Sequence, residues 1–502
     1  MHPVNRARRV TLQRLATLGI TGTLGLLRSG QLYGTPAASA NPIPGVQGGV
    51  IGRDDPSYEL WRQSMVWHRS KPARRPDYIV QPRTEDDVMA AIRYAARNKL
   101  KVAMRSGGHN PTGPSLRDGG LCIDCSALTK VEIDGAANIA VVQTGTHAYD
   151  LMTQLLARGL CFPTPHCPSV GMGGFLLGGG LGWNNGYRSG VATLNIEAVD
   201  VVTADGQRIL ATRDNHPDLR WAARGGGPGI PFAILRFHLK TYPAPKAIRV
   251  STYILPLDRH ATMTGTIERM ADAIDPRVEI LALLLHNPEA PPAAPPQESK
   301  VCYLAVFAYG DSDAESRQML QPFAQSEIAK SALASAEFQD YTFERLFPDF
   351  FGTQHPGGYL GRYAAESIFT DEPGKALAAM APHFREAPSP ICHVIASYNQ
   401  NLKDHPDAMF SAIARHYVGC FAIWDDEADD ERNFSWLDET IPLIDPFGKG
   451  HYVNEVEARR HPDRIRQCYT PEKWEHMQAV RRKYDPNGVF HTYLGHGQGE
   501  SE

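Results

Sequence analysis

Two glycine-rich stretches carry the side chains best able to do chemistry. The first reads Val102-Ala103-Met104-Arg105-Ser106-Gly107-Gly108-His109-Asn110. A short apolar run breaks into a cation, a hydroxyl, two glycines and an imidazole, the pattern of a buried strand opening into a tight turn. Adjacent glycines permit positive φ and let backbone N–H groups close on an anion; Arg105 adds charge, and His109 stands at the rim as a nucleophile or base. A strand-to-turn hairpin with a surface histidine would use the same residues. The second stretch runs from Cys167 to Trp183 as Cys-Pro-Ser-Val-Gly-Met-Gly-Gly-Phe-Leu-Leu-Gly-Gly-Gly-Leu-Gly-Trp. Its glycines are too dense for the interior of a helix or strand, and backbone laid flat against a large planar or phosphorylated ligand accounts for them. Neither stretch is a dinucleotide fingerprint or a P-loop: Gly171-Met172-Gly173-Gly174 has the wrong spacing, and no Gly-Lys-Ser/Thr follows.

Taken together, the Arg-Ser-Gly-Gly-His turn, the Cys-Pro-x-Val-Gly-x-Gly-Gly segment and the Gly-Gly-Gly after it resemble the berberine-bridge-enzyme family of FAD-dependent oxidases. That family belongs to the vanillyl-alcohol-oxidase class, with a PCMH-type FAD-binding domain. Gly450-His451-Tyr452-Val453-Asn454 resembles its Tyr-Val-Asn element, and Tyr484-Asp485-Pro486-Asn487-Gly488-Val489-Phe490 its closing Tyr-Asp-Pro-x-x-x-Phe. The resemblance implies FAD bonded through His109 at the flavin 8α-methyl and through Cys167 at C6, or through His109 alone as in monocovalent members. It implies a cofactor-binding set of Arg105, Ser106, Gly107, Gly108, His109, Asn110, Cys167, Val170, Gly171, Gly174, Gly178, Gly179, Gly182 and Asn454. Tyr452 becomes the base for a substrate hydroxyl, its pKa lowered by neighbours, unless it is an aromatic packing the domain interface. Tyr398, in Ala-Ser-Tyr-Asn-Gln, is a second candidate. Two departures bear on substrate and tuning: Phe175 stands where the family commonly has histidine, and the residues after Asn454 diverge.

The implied reaction removes hydride from a C–OH of a sugar, oligosaccharide or glycosylated natural product to flavin N5, with O2 reduced to H2O2. A flavin dehydrogenase using another acceptor, or a flavin-fold binding protein without catalysis, are the alternatives. The partners are then a small-molecule substrate and O2. A net charge of −4 over 502 residues and the absence of a basic block argue against nucleic acid. The 19 histidines show no metal-ligand spacing, and Cys122-Ile-Asp-Cys125 lacks a second half, so no metal is expected. That pair reads as two small hydrophobes in a strand.

Residues 1–40 have the order of an export signal: Arg8-Arg9-Val10-Thr11-Leu12, a weakly apolar run from Leu15 to Leu27, then Ala38-Ser39-Ala40. Paired arginines before Thr-Leu look like a twin-arginine signal, read by the machinery that exports folded proteins, with a periplasmic or extracellular destination and no membrane span in the mature form. The elements positioning the chemistry follow as an α+β chain. A linker and leading segment (41–75) precede a two-lobed FAD-binding domain (76–245). An antiparallel-sheet substrate domain backed by helices comes next (246–445). A tail (446–495) then returns to the FAD domain. A helix opens at Thr84, whose side chain and the acidic Asp86 and Asp87 suit a helix start. Tyr242-Pro243-Ala244-Pro245 marks the boundary, and Pro288 to Pro296 is a surface loop.

Overall fold

The computed structural model describes residues 42–495 apart from 185–189, 272, 288–289, 291–293, 295–298, 355–360, 399–401 and 403–404. The segment expected to be an export signal (1–40) and most of the Pro288–Pro296 loop lie outside the described residues.

Two sheets make the first domain. In one, Gly49–Gly52 pairs antiparallel with Tyr78–Gln81, and Leu121–Asp124 then runs parallel to both Tyr78–Gln81 and Val102–Arg105. Helix Glu85–Arg97 makes the crossover between Tyr78–Gln81 and Val102–Arg105. Thr84 caps it by accepting from Asp87 N, and the Asp87 carboxylate reaches back to Thr84 N, a reciprocal capping box. Val88, Ala91, Ile92 and Ala95 are its buried stripe. The second sheet is antiparallel, in the order Val131–Asp134, Ile139–Gln143, Ala233–Lys240, Ile196–Val202, Arg208–Ala211. These are the two lobes.

The second domain is a seven-stranded antiparallel sheet in the order Ala334–Tyr341, Ala247–Pro256, Lys300–Gly310, Val278–His286, His393–Tyr398, His416–Trp424, Arg362–Thr370. Side chains alternate between its faces. Ile280, Ala282, Leu284, Val394, Ala396 and Val418 form one core with Met263, Phe323, Leu377 and Leu437 of the covering helices. The intervening residues turn to the first domain: Leu281 and Leu283 pack on Met152 and Trp183, and Tyr363 and Phe421 on Trp67.

The tail joins back to the first domain. Val102 N donates to Val489 O at 2.7 Å and His491 N to Val102 O at 3.0 Å, so residues 489–491 extend the first sheet beside the strand that carries the histidine turn. Asp485 caps this arrangement by accepting from Val489 N and Phe490 N.

Candidate flavin site

The two glycine-rich segments touch backbone to backbone, and only glycine permits it. A Cβ on Gly107 would lie 2.4 Å from Gly171 N, and one on Gly171 would lie 2.4 Å from Ser106 Oγ. Gly108 has φ +69°, where a side chain is strained and would meet Met65 O at 2.2 Å. Ser106 Oγ donates to Thr144 O at 2.6 Å, and Met172 N and Gly173 N bond to Thr146 O and Thr144 O. This seam brings His109 and Cys167 to one hydroxyl: Ser169 Oγ lies 3.1 Å from His109 Nε2 and 3.5 Å from Cys167 Sγ. Trp67 fixes the imidazole from another side. The rings stack at 5.1 Å and 14°, and Trp67 Nε1 donates to His109 O at 2.6 Å.

A cavity of about 330 Å³ opens between this wall and the inner face of the seven-stranded sheet. Of the residues expected from the sequence, Arg105 to Asn110, Cys167, Val170, Gly171, Gly174, Tyr452 and Asn454 line it. Asn110 makes a local turn, its Oδ1 accepting from Thr112 N at 3.0 Å. Several assignments need correction. Gly178, Gly179 and Gly182 do not line the cavity; a Cβ at each would strike Asn454, Phe410 and Thr164 O respectively, so they serve close packing behind the wall. Arg105 is not a spare cation for an anion nest. Its guanidinium pairs with buried Asp124 at 2.7 Å and donates to Met65 O, Ser64 O and Gly107 O, which shapes the turn. The glycine-rich segment also holds a helix, Met172–Gly178, because Gly173 gives up a side chain to approach Thr144.

Tyr398 is on the wrong face. It is buried in the helix-side core against His416, at 5.1 Å between rings, while His393, Ile395 and Ser397 of the same strand face the cavity. One step along a strand reverses the face, and parity, not residue type, decided this position.

Tyr452 stands at the cavity wall, its hydroxyl oxygen accepting from Gly180 N at 3.2 Å, Leu181 N at 3.4 Å and Asn454 Nδ2 at 3.1 Å. Its acidity goes against expectation. Burial, and after it the charge of Glu455, push the phenol up, and the three donors only oppose this. Beside it Tyr417 hydrogen-bonds Glu455 Oε2, and Tyr363 completes a phenolic group. Burial raises Glu455 to about 7, against the Tyr417 hydrogen bond and the charge of His166. At the cysteine end, His166 Nε2 meets Glu279 Oε1 at 3.0 Å; the carboxylate also accepts from Tyr309 and from Asn184 N.

Sequence reasoning missed Ser169, Trp67, Glu455, Tyr417 and the His166–Glu279 pair. Ser169 and Glu455 lay inside or beside quoted motifs, and strand parity would have pointed to Tyr417 and Ser397.

The cavity fits a flavin nucleotide. A Cβ on Gly174 would meet nothing within 4 Å, so this helix backbone is bare toward the cavity, as contact with a flat ring requires. Arg117 Nε and His491 Nε2 are buried without a partner near the end lined by Phe490 and His491, donor capacity that suits a diphosphate.

Comparison with known proteins agrees. Residues 76–212 match the FAD binding domain family. The FAD-linked oxidoreductase janO of Penicillium janthinellum is 29% identical over 87% of this chain and 95% of its own. The solved BBE-like 1 of Physcomitrella patens superposes with TM-score 0.75 at 18% identity, covering 90% of this chain and 98% of its own. Xylooligosaccharide oxidase of Myceliophthora thermophila, solved with xylobiose, gives TM-score 0.74 at 20% identity over 90% and 98%. The histidine turn thus lies inside a matched FAD-binding domain, most of the chain is similar to FAD-linked oxidoreductases, and the fold is that of the BBE-like structures.

Proposed function

We propose that the protein is an exported oxidase that dehydrogenates a C–OH group of a sugar, oligosaccharide or glycosylated natural product and passes the electrons to O2, giving H2O2. The observation that carries this reading is the opposition of two walls across one cavity. One presents His109 and Cys167 on a shared hydroxyl; the other presents the hydroxyls of Ser397, Tyr363 and Tyr417, with Tyr452 and Glu455 beside them. Hydroxyl-bearing side chains among aromatic faces suit a polyhydroxylated ring, which needs hydrogen bonds at its edge and apolar contact on its faces. The xylobiose-bound oxidase with the same fold supports that substrate class.

FAD, when bound, supplies the acceptor for the substrate hydride at N5. His109 and Cys167 tether it, and Ser169 and Trp67 hold the imidazole for that purpose. Tyr452, fixed by three N–H donors, orients the substrate hydroxyl. Export in the folded state is supported by the paired arginines Arg8 and Arg9 ahead of the apolar run.

Two measurements test the reading. Oxygen uptake by the purified flavoprotein is screened against sugars, oligosaccharides, simple alcohols and glycosylated aromatics; sugars or oligosaccharides are expected to give one H2O2 per O2. Flavin reduced by a sugar without air, yet not reoxidised by O2, would make the protein a dehydrogenase with another acceptor. For the tether, wild type, His109→Ala and Cys167→Ala are expected to keep flavin on acid-precipitated protein, and only the double variant to release it.

A further inference from the structure

Oxidising a hydroxyl releases a proton as well as a hydride, and the cavity offers few groups to take it. Three phenols face it: Tyr363, Tyr417 and Tyr452. All three are pushed up, by burial first and the charge of Glu455 second. Ordinary phenols already sit about 6 pH units above carboxyls, so any negative charge in this cluster rests on the carboxylate. Of the imidazoles, burial drops His393 to about 4 and His491 to about 3, which leaves weak bases. His166 is engaged by Glu279, and His109 is the tether. Among the described residues lining the cavity, Glu455 is the one carboxylate. Its Oε2 is hydrogen-bonded by Tyr417, a phenol that itself lines the cavity.

We propose, on the strength of the oxidase reading above, that Glu455 takes the substrate's hydroxyl proton through the phenol of Tyr417, while Tyr452 orients that hydroxyl and does not deprotonate it. The substrate O–H proton moves to the Tyr417 oxygen as the Tyr417 proton moves to Glu455, so the phenol stays neutral and the carboxylate becomes a carboxylic acid. The substrate C–H bond breaks with its electron pair and the C–O bond becomes C=O; FAD, when bound, would supply the acceptor for that hydride. O2 then takes that electron pair and hydrogen together with the Glu455 proton and leaves as H2O2, restoring the carboxylate. The relay is confined: Glu455 faces Tyr417 and Tyr363 from the sheet, Tyr452 from its own segment and His166 from the glycine-rich segment. Burial raises Glu455 to about 7, so this carboxylate takes up and releases a proton near neutrality and the relay resets at physiological pH.

The first test needs no substrate. The flavin absorbance of the loaded protein is titrated from pH 5 to 9. Wild type is expected to show a transition near neutrality that Glu455→Gln abolishes. Tyr417→Phe, which removes the hydrogen bond favouring the carboxylate, is expected to move it to higher pH. In the second test, stopped-flow reduction of the flavin without air by an oxidised substrate is expected to slow by roughly 10²–10⁴-fold in Glu455→Gln. The acid limb of its pH profile should disappear, with flavin content and Tm retained. A neutral transition that survives in Glu455→Gln, its absence from wild type, or wild-type reduction rates in that variant would overturn the proposal. A wild-type flavin that no hydroxyl compound reduces would instead overturn the oxidase reading, and the titration would still decide whether Glu455 is the titrating group.

Discussion

Ser169 offers one hydroxyl to two side chains from distant parts of the chain, one an imidazole and the other a thiol. A hydroxyl accepts and donates at once, so it can take the His109 Nε2 hydrogen and give its own to Cys167 sulfur. That polarity leaves a lone pair on the other imidazole nitrogen and favours thiolate at sulfur, the two nucleophiles a double tether requires. Ser169→Ala is therefore expected to lower the share of flavin that survives acid precipitation, without loss of total flavin binding in the native protein, and Ser169→Thr to restore it. Unchanged acid-stable flavin in Ser169→Ala would show that the hydroxyl only fills space. His109 and Cys167 stood out in the sequence because glycines surround them. Ser169 did not, since a serine between proline and valine looks the same whether it faces a cofactor or water.

At the scale of elements, the short helix Met172–Gly178 has one glycine that must stay bare for packing and another that must stay bare for the ligand. A Cβ on Gly173 would sit 2.1 Å from Thr144 Oγ1 and 2.9 Å from Thr144 O. Gly173→Ala gains about 1 kcal/mol of helix propensity, but overpacking against backbone costs about 1–3 kcal/mol. The clash prevails, so Tm is expected to fall with or without flavin. Gly174→Ala meets no atom within 4 Å. It should raise the Tm of the flavin-free protein slightly while lowering flavin occupancy. Equal effects of the two substitutions in thermal scans of loaded and flavin-free protein would refute the distinction. Much at this scale was legible: the capped helix opens at Thr84, and Cys122 lies in a strand, Leu121–Asp124, with Cys125 just past its end. What was not legible depended on parity or on contacts far along the chain. Tyr398 and Ser397 are neighbours in sequence and belong to opposite faces. The helix inside the glycine-rich run exists only because Thr144, brought in by another strand, accepts its close approach.

For the whole molecule, buried imidazoles set the response to acid. Burial holds His68 and His491 at about 3 and His393 and His416 at about 4, all below the ordinary 6.5. A depressed folded-state pKa contributes stability that is complete above 6.5 and is lost as pH falls toward 4 and below, because the unfolded chain takes up the protons first. Glu455 and Glu366 act in the opposite sense: burial raises both to about 7, so they favour folding below 4.5 and lose that contribution as pH rises through 7. Four imidazoles outweigh two carboxyls, so Tm is expected to drop between pH 6.5 and 4. His416→Phe, which removes a ring nitrogen buried without a partner, should flatten that drop in a pH series of thermal scans. A steeper drop in the variant would refute the assignment. The tail responds to a different test. Removing the chain from Gly450 onward takes away Tyr452, Asn454 and the segment beside Val102, and flavin retention should vanish with it. That seam also imposes an order in time. The strand leading to His109 is made early, yet its outer neighbour is residues 489–491, which are made much later. The cofactor's berth is thus complete only once residues 489–491 lie beside Val102, so a chain still lacking its tail has nowhere to hold the flavin.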